Sequence, residues 1–189
     1  MNKTQNRVPA DSSRRAGRIR DIILFFCFAA AIVLLDQKTK DIAARTLAAG
    51  DIILIPGVLR LTLVLNTGAA FGSFSGKTAF LAFFTVFLLA LCVWVYWRIA
   101  GRSGVRMLKV TVVMIFSGGL GNFIDRAFRG AVTDFIYFEM IDFPVFNTAD
   151  CFVTVGALML LFSAFTVYRN REMRELLGFP ARKNADSGE

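Results

Sequence analysis

Five acids crowd into residues 125–150 of a chain whose net charge is +8: Asp125, Asp134, Glu139, Asp142 and Asp150. There is no His anywhere in the 189 residues. That excludes a Ser-His-Asp triad, a Cys-His dyad and a His-based zinc site. Carboxylates, hydroxyls, amides, Lys, Arg and three Cys remain. Two carboxylates can hydrolyse a peptide bond without His. One takes a proton from water while the other donates one to the carbonyl oxygen. Like charges a few ångströms apart split the pair's titration, so the two groups share one proton. Two pairings are open: Asp134 with Asp150, or Asp125 with Asp150. Asp134 lies among apolar neighbours in Val132-Thr133-Asp134-Phe135-Ile136, with no obvious partner nearby in sequence. With Asn147 as N-cap, Asp150 takes the third helical position, where the dipole and free N–H groups favour a carboxylate. Arg126 stands beside Asp125 and would hold it ionised. That leans towards a bracing role for Asp125 and leaves Asp134 to share the proton.

Other polar residues read more plainly. Asp36 and Lys40 are four apart and share a helix face, as a structural ion pair would. Asn122 and Asp125 share a face in a run opened by Ser117-Gly118-Gly119-Leu120-Gly121, whose glycines allow a second helix to approach. Cys27, Cys92 and Cys151 sit in apolar runs without CxxC spacing and read as small buried side chains.

The elements that must position these groups are apolar. Hydrophobic residues make up 56% of the chain and charged ones 19%, with mean hydropathy +0.57. A soluble domain carries more polar surface. Four runs predict spans: Ile22 to Leu35, Ala79 to Trp97, Val110 to Ile124 and Cys151 to Tyr168. Of the 22 Lys and Arg residues, 15 fall in segments 1–20, 98–109 and 169–189. The positive-inside rule puts those segments, and both termini, in the cytoplasm. The basic excess is then a topology signal, and no nucleic-acid partner is expected. The first run is basic then apolar, like a signal peptide, but Ala29-Ala30-Ala31 lies inside it, so it reads as an uncleaved span. The expected organisation is a disordered basic tail over 1–18, a four-span domain over 19–169 and a cytoplasmic tail over 170–189. Outside, Ile42 to Ala49 predicts a short interfacial helix. Ile52 to Ile55, the Pro56-Gly57 turn and Val58 to Leu65 predict a small extracytoplasmic sheet ending at Asn66-Thr67-Gly68. The fold class expected is a mainly α membrane protein of four transmembrane helices with that sheet and interfacial helix.

Five blocks then carry a resemblance. Asp36-Gln37-Lys38-Thr39-Lys40, Asn66-Thr67-Gly68-Ala69-Ala70-Phe71, Gly118 through Arg126, Val132 through Ile136, and Phe146-Asn147-Thr148-Ala149-Asp150 resemble, in order, those of lipoprotein signal peptidase, or signal peptidase II. Thr133 stands where that family often has Val. The resemblance implies a catalytic dyad of Asp134 and Asp150. It implies substrate-positioning or supporting roles for Asp36, Lys40, Asn66, Gly68, Asn122, Asp125, Arg126 and Asn147. The implied substrate is a prolipoprotein whose Cys carries a diacylglyceryl group, cut on the N-terminal side of that Cys. The implied setting is the bacterial inner membrane, with the site at its outer face, membrane lipid around a monomer, and no metal or organic cofactor. Other chemistries fit less well. Gly119-Leu120-Gly121 is followed by Asn122, so a GxGD protease motif fails. Ser73 or Ser75 with Lys77 would need a desolvated Lys, which a loop does not supply. A proton relay through Asp36, Asp125 and Asp150 would want acids near the bilayer midplane, whereas these lie near span ends.

Overall fold

The computed structural model describes residues 10–68 and 78–169. Four helices and three strands follow in the order α1 (Ala10–Thr46), β1 (Ile52–Ile55), β2 (Leu59–Asn66), α2 (Thr78–Ile99), α3 (Arg106–Arg129), β3 (Val132–Phe138) and α4 (Thr148–Arg169). Single 3-10 turns occupy Leu47–Ala49 and Glu139–Ile141. Among the described residues, three helices are long and apolar enough to cross a membrane: Phe80–Ile99, Arg106–Arg129 and Thr148–Phe165. The apolar run 22–35 of α1 is shorter and is bounded by Asp21 and Asp36.

Charged and polar side chains are buried among the helices, while many large apolar ones face outwards. Among the described residues, the largest fully buried side chains are Lys40, Asn147, Thr111, Asp36, Asp125 and Ser117. Phe83, Phe87 and Leu161 lie exposed on the helices. Water would penalise that surface, and a bilayer removes the penalty. Helix contact rests on small residues. A Cβ on Gly118 would stand 2.5 Å from the Ala149 carbonyl and 2.7 Å from Val153 Cγ2. A Cβ on Gly121 would run into the Asp36 carboxylate. Glycine at these two positions lets α3 approach the α4 backbone at Gly118 and the Asp36 side chain of α1 at Gly121.

At one end, the Asp21 carboxylate accepts bonds from Lys109 Nζ (2.6 Å) and the Gly101 N–H (2.8 Å). The Tyr96 hydroxyl donates to the Asp21 carbonyl at 2.8 Å. Phe25, Tyr96, Val112 and Val113 pack beside this clasp. At the other end lies an antiparallel sheet in the order β1-β2-β3. It packs on the end of α1 through Ala43, Leu47 and Phe135.

Three expectations change. The stretch 42–49 is not a separate interfacial helix. Its first part continues α1, because nothing breaks the helix before Gly50, where φ is +136°. α1 also starts at Ala10, before the boundary expected at residue 19. The Arg18 guanidinium stacks 3.9 Å over Trp97 and donates to its carbonyl at 3.4 Å, which ties this early turn to the end of α2. The sheet has a third strand, because β3 pairs along β2 from Leu59↔Phe138 to Asn66↔Val132.

Candidate active site

β2 and β3 pair Val64 with Asp134 and Asn66 with Val132, so Asn66 and Asp134 come to the same end of the sheet. The Asn66 amide donates to Asp134 Oδ2 at 2.8 Å. Asp150 arrives from the start of α4. Asn147 is the N-cap there: its Oδ1 accepts the Asp150 N–H at 3.1 Å, while Asp150 Oδ2 accepts the Asn147 N–H at 3.1 Å. This is a reciprocal cap of the capping-box kind, with Asn and Asp in the two roles. The Asn147 amide then donates to Asp134 Oδ1 at 2.6 Å. One residue thus touches both carboxylates, on different atoms.

Three asparagine amides aim at the two acids, and each orientation is set by a donor that admits no ambiguity. Asn66 Oδ1 accepts the Gly68 N–H at 2.9 Å. Asn147 Oδ1 accepts the Asp150 N–H. Asn122 Oδ1 accepts Lys40 Nζ at 2.9 Å and the Asn147 amide at 3.1 Å. With each carbonyl so occupied, each NH2 must turn towards a carboxylate. The Asn122 amide accordingly donates to Asp150 Oδ1 at 2.7 Å.

Behind this layer lies a buried ionic one. Lys40 bridges Asp36 (2.9 Å) and Asp125 (3.0 Å), and all three side chains are fully buried. Asp36 Oδ1 also accepts the Ala149 N–H at 2.8 Å, one of the free donors at the start of α4. Asp125 receives Arg129 at 2.9 Å and the Thr133 N–H at 3.3 Å. An ammonium between two carboxylates balances charges that would be costly alone.

Arg126 was expected to hold the adjacent Asp125 ionised. Neighbours on a helix point about 100° apart, and the cations on Asp125 are Lys40 and Arg129, the latter one turn further on. Arg126 instead donates to the Gly68 carbonyl at 3.0 Å, pinning the end of β2. Arg129 was missed, although its spacing from Asp125 was readable. Gln37 was missed as well. Its amide reaches Asp36, the Gly121 carbonyl and Asp125 at 3.2–3.3 Å, and only its place inside the Asp36–Lys40 block hinted at it. Ser73, Ser75 and Lys77 lie outside the described residues.

Asp134, Asp150, Asn66, Asn122 and Arg126 border one cavity of about 890 Å³, otherwise largely apolar, with Leu65, Phe138 and Val153 among its walls. Asp125 is not among its lining residues. Asp134 is 2% exposed. Burial, reinforced by the nearby charge of Asp150, pushes its carboxyl up to about 6, against the opposing pull of Asn66, Asn147 and Lys40. Such a site can hold two carboxylates with one proton between them, next to an apolar space open to an extended chain.

A family model described as signal peptidase (SPase) II matches residues 28–166. The chain is 40% identical over 134 residues to a lipoprotein signal peptidase of Staphylococcus carnosus (strain TM300), covering 69% of this chain and 83% of that one. It is 37% identical over 148 residues to a lipoprotein signal peptidase of Staphylococcus aureus (strain MRSA252), covering 77% and 90%. Two solved structures of a bacterial membrane enzyme are similar in fold. One has a TM-score of 0.71 at 33% identity, covering 78% of this chain and 90% of its own. The other has a TM-score of 0.67 at 34% identity, covering 76% and 93%.

Proposed function

The chain belongs to the signal peptidase II family, and we propose that it is an aspartic endopeptidase with Asp134 and Asp150 as its catalytic pair. As a member of that family it is a bacterial membrane peptidase that removes signal peptides from lipoproteins. The finer reading concerns how and where. The substrate is a prolipoprotein bearing a diacylglyceryl-modified Cys, and the bond cut is the one N-terminal to that Cys. The observation that carries the reading is the double role of Asn147, which bonds Asp134 through its side chain and Asp150 through its main chain.

Asp150 sits at a helix N-terminus and accepts two N–H bonds, from the Asn122 amide and the Asn147 main chain. Asp134 is buried and raised to about 6, so it holds the shared proton more readily. Asp150 takes a proton from a water, whose oxygen attacks the scissile carbonyl carbon. Asp134 gives its proton to the carbonyl oxygen. The tetrahedral intermediate collapses, the C–N bond breaks, and the proton gained by Asp150 goes to the leaving amine. Asp134 regains its proton from the intermediate's hydroxyl as the new carboxyl group forms. Lys40 sets the Asn122 amide and, through it, one oxygen of Asp150. Asp36, Asp125 and Gly68 act as braces. Arg126 borders the cavity and holds its β2 rim.

The membrane placement supports the same reading. The run 22–35 of α1 completes four spans, both termini face the cytoplasm, and the pair lies at the extracytoplasmic surface. A prolipoprotein processing assay in membranes or detergent tests the assignment. Asp134→Asn and Asp150→Asn are each expected to abolish cleavage while the protein still accumulates. Near-wild-type turnover in either variant overturns the pair.

A further inference from the structure

A second cavity, of about 640 Å³, opens between α1, α3 and the connection from α2 to α3. It is remote from the two aspartates. The rise of α1 from Asp21, which lines it, to Asp36 is about 20 Å. Two helix ridges form its walls. Leu24, Phe28 and Ile32 recur every four residues on α1, and Val110, Val113 and Met114 face them from α3. Four cations, Arg20, Arg102, Arg106 and Lys109, also line it, beside Tyr96, Ser103 and Gly104. The one acid among the lining residues, Asp21, is 5% exposed and is held by Lys109 and the Gly101 N–H. The Arg20 side chain is 73% exposed and only 3.5 Å from Asp21. The first turn of α3 borders the same space, and its N-cap Val105 offers no side-chain cap to the free N–H groups.

We infer that this groove holds one anionic phospholipid, with its phosphodiester on Arg20, Arg102 and Arg106 and an acyl chain along the Leu24–Phe28–Ile32 ridge. Guanidinium groups match phosphate oxygens in pairs, and a cation surplus beside a span is the setting that selects anionic headgroups. The apolar walls choose a lipid over a free anion. Leu24, Phe28 and Val110 are 43%, 59% and 44% exposed, and inorganic phosphate would leave them uncovered. Nothing in this inference depends on which residues perform catalysis.

Native mass spectrometry of the delipidated full-length protein in neutral detergent tests it. Phosphatidylglycerol and phosphatidylcholine with matched acyl chains are the probes, and inorganic phosphate is the competitor. One phosphatidylglycerol is expected to be retained about tenfold more tightly than phosphatidylcholine. Millimolar phosphate is expected not to displace it. R20Q/R102Q/R106Q should lose the preference. Leu24→Trp, which keeps every charge but fills the groove at an exposed position, should lose it too. Processing in detergent by both variants serves as the check that they are folded. Equal retention of the two lipids by the wild type, displacement by phosphate, or an unchanged preference in folded variants would each overturn the inference.

Discussion

Burial of Asp134 has two consequences that can be measured separately. Its ionised form is disfavoured in the folded protein, which lifts the carboxyl from 3.8 to about 6. For a raised carboxyl, the contribution to stability is fully present below the unfolded value. It is lost as pH rises through the folded value, by about 3 kcal/mol in all. Replacement by Asn removes that burden. However, the new NH2 must face the amide of Asn66 or Asn147, at the cost of about one hydrogen bond. The two changes oppose each other, which is why Asp134→Asn is expected to accumulate although it is inactive. On the proposed mechanism the same titration would set the pH dependence of turnover. Below about 6 Asp134 would hold the shared proton, and above it the pair would lose the donor to the carbonyl oxygen. kcat/KM, which reports the free enzyme, should therefore fall as pH rises through about 6. The corresponding limb of kcat should lie higher, because a bound peptide displaces water and deepens the desolvation. Rate profiles in detergent over pH 5–9 check this. A kcat/KM that keeps rising across that range would contradict a proton held on Asp134.

At the scale of elements, α1, α3 and α4 meet through one ammonium and two glycines. Asp125 is paired with Lys40 and Arg129 and does not border the cavity lined by Asp134 and Asp150. Asp125→Asn should lower the amount of folded protein, by the roughly 3–5 kcal/mol typical of breaking a buried pair, more than it lowers the turnover of what folds. Quantitative blotting beside the processing rate separates the two, and full accumulation without activity would place Asp125 in the catalytic pair. Gly121→Ala should act on the same joint. Its methyl would run into the Asp36 carboxylate and push α3 from α1, at a cost of about 1–3 kcal/mol. A lower melting temperature in detergent is the readout. Parts of this arrangement could be read in the residues. Pro56-Gly57 between two β-branched and apolar runs marked the β1–β2 hairpin, and Asn147 with Asp150 marked the start of α4. β3 escaped notice because Val132 to Ile136 is nearly all apolar or β-branched, buried on both sides, and shows no alternation to distinguish it from a loop beside a span. The true partners of Asp125 escaped notice because adjacency in sequence was given weight that belongs to the helical turn.

Basic side chains crowd one end of the apolar body, and the proposed topology rests on that bias. The end that holds the α2–α3 connection gathers Arg98, Arg102, Arg106 and Lys109 within a short stretch, with Arg14, Arg15, Arg18 and Arg20 on the adjoining part of α1. The end with the sheet gathers Asp134, Glu139, Asp142 and Asp150. Lys and Arg in short loops resist translocation, whereas Asp and Glu contribute little to the bias. On the proposed topology the sheet end faces outwards, and the 890 Å³ cavity would open at the surface where a lipid-anchored Cys emerges from the bilayer. Cysteine labelling can decide the matter, because only Cys27, Cys92 and Cys151 need replacing. With those changed to Ala in a chain that still processes substrate, Met140→Cys and Ser103→Cys place one thiol at each end, both at exposed positions. In intact spheroplasts a membrane-impermeant maleimide should label Met140→Cys and leave Ser103→Cys untouched until the membrane is permeabilised. The reverse pattern would turn the protein over. Asp134 and Asp150 would then face the cytoplasm, where a signal peptide that has already crossed the membrane could not present its cleavage site to them.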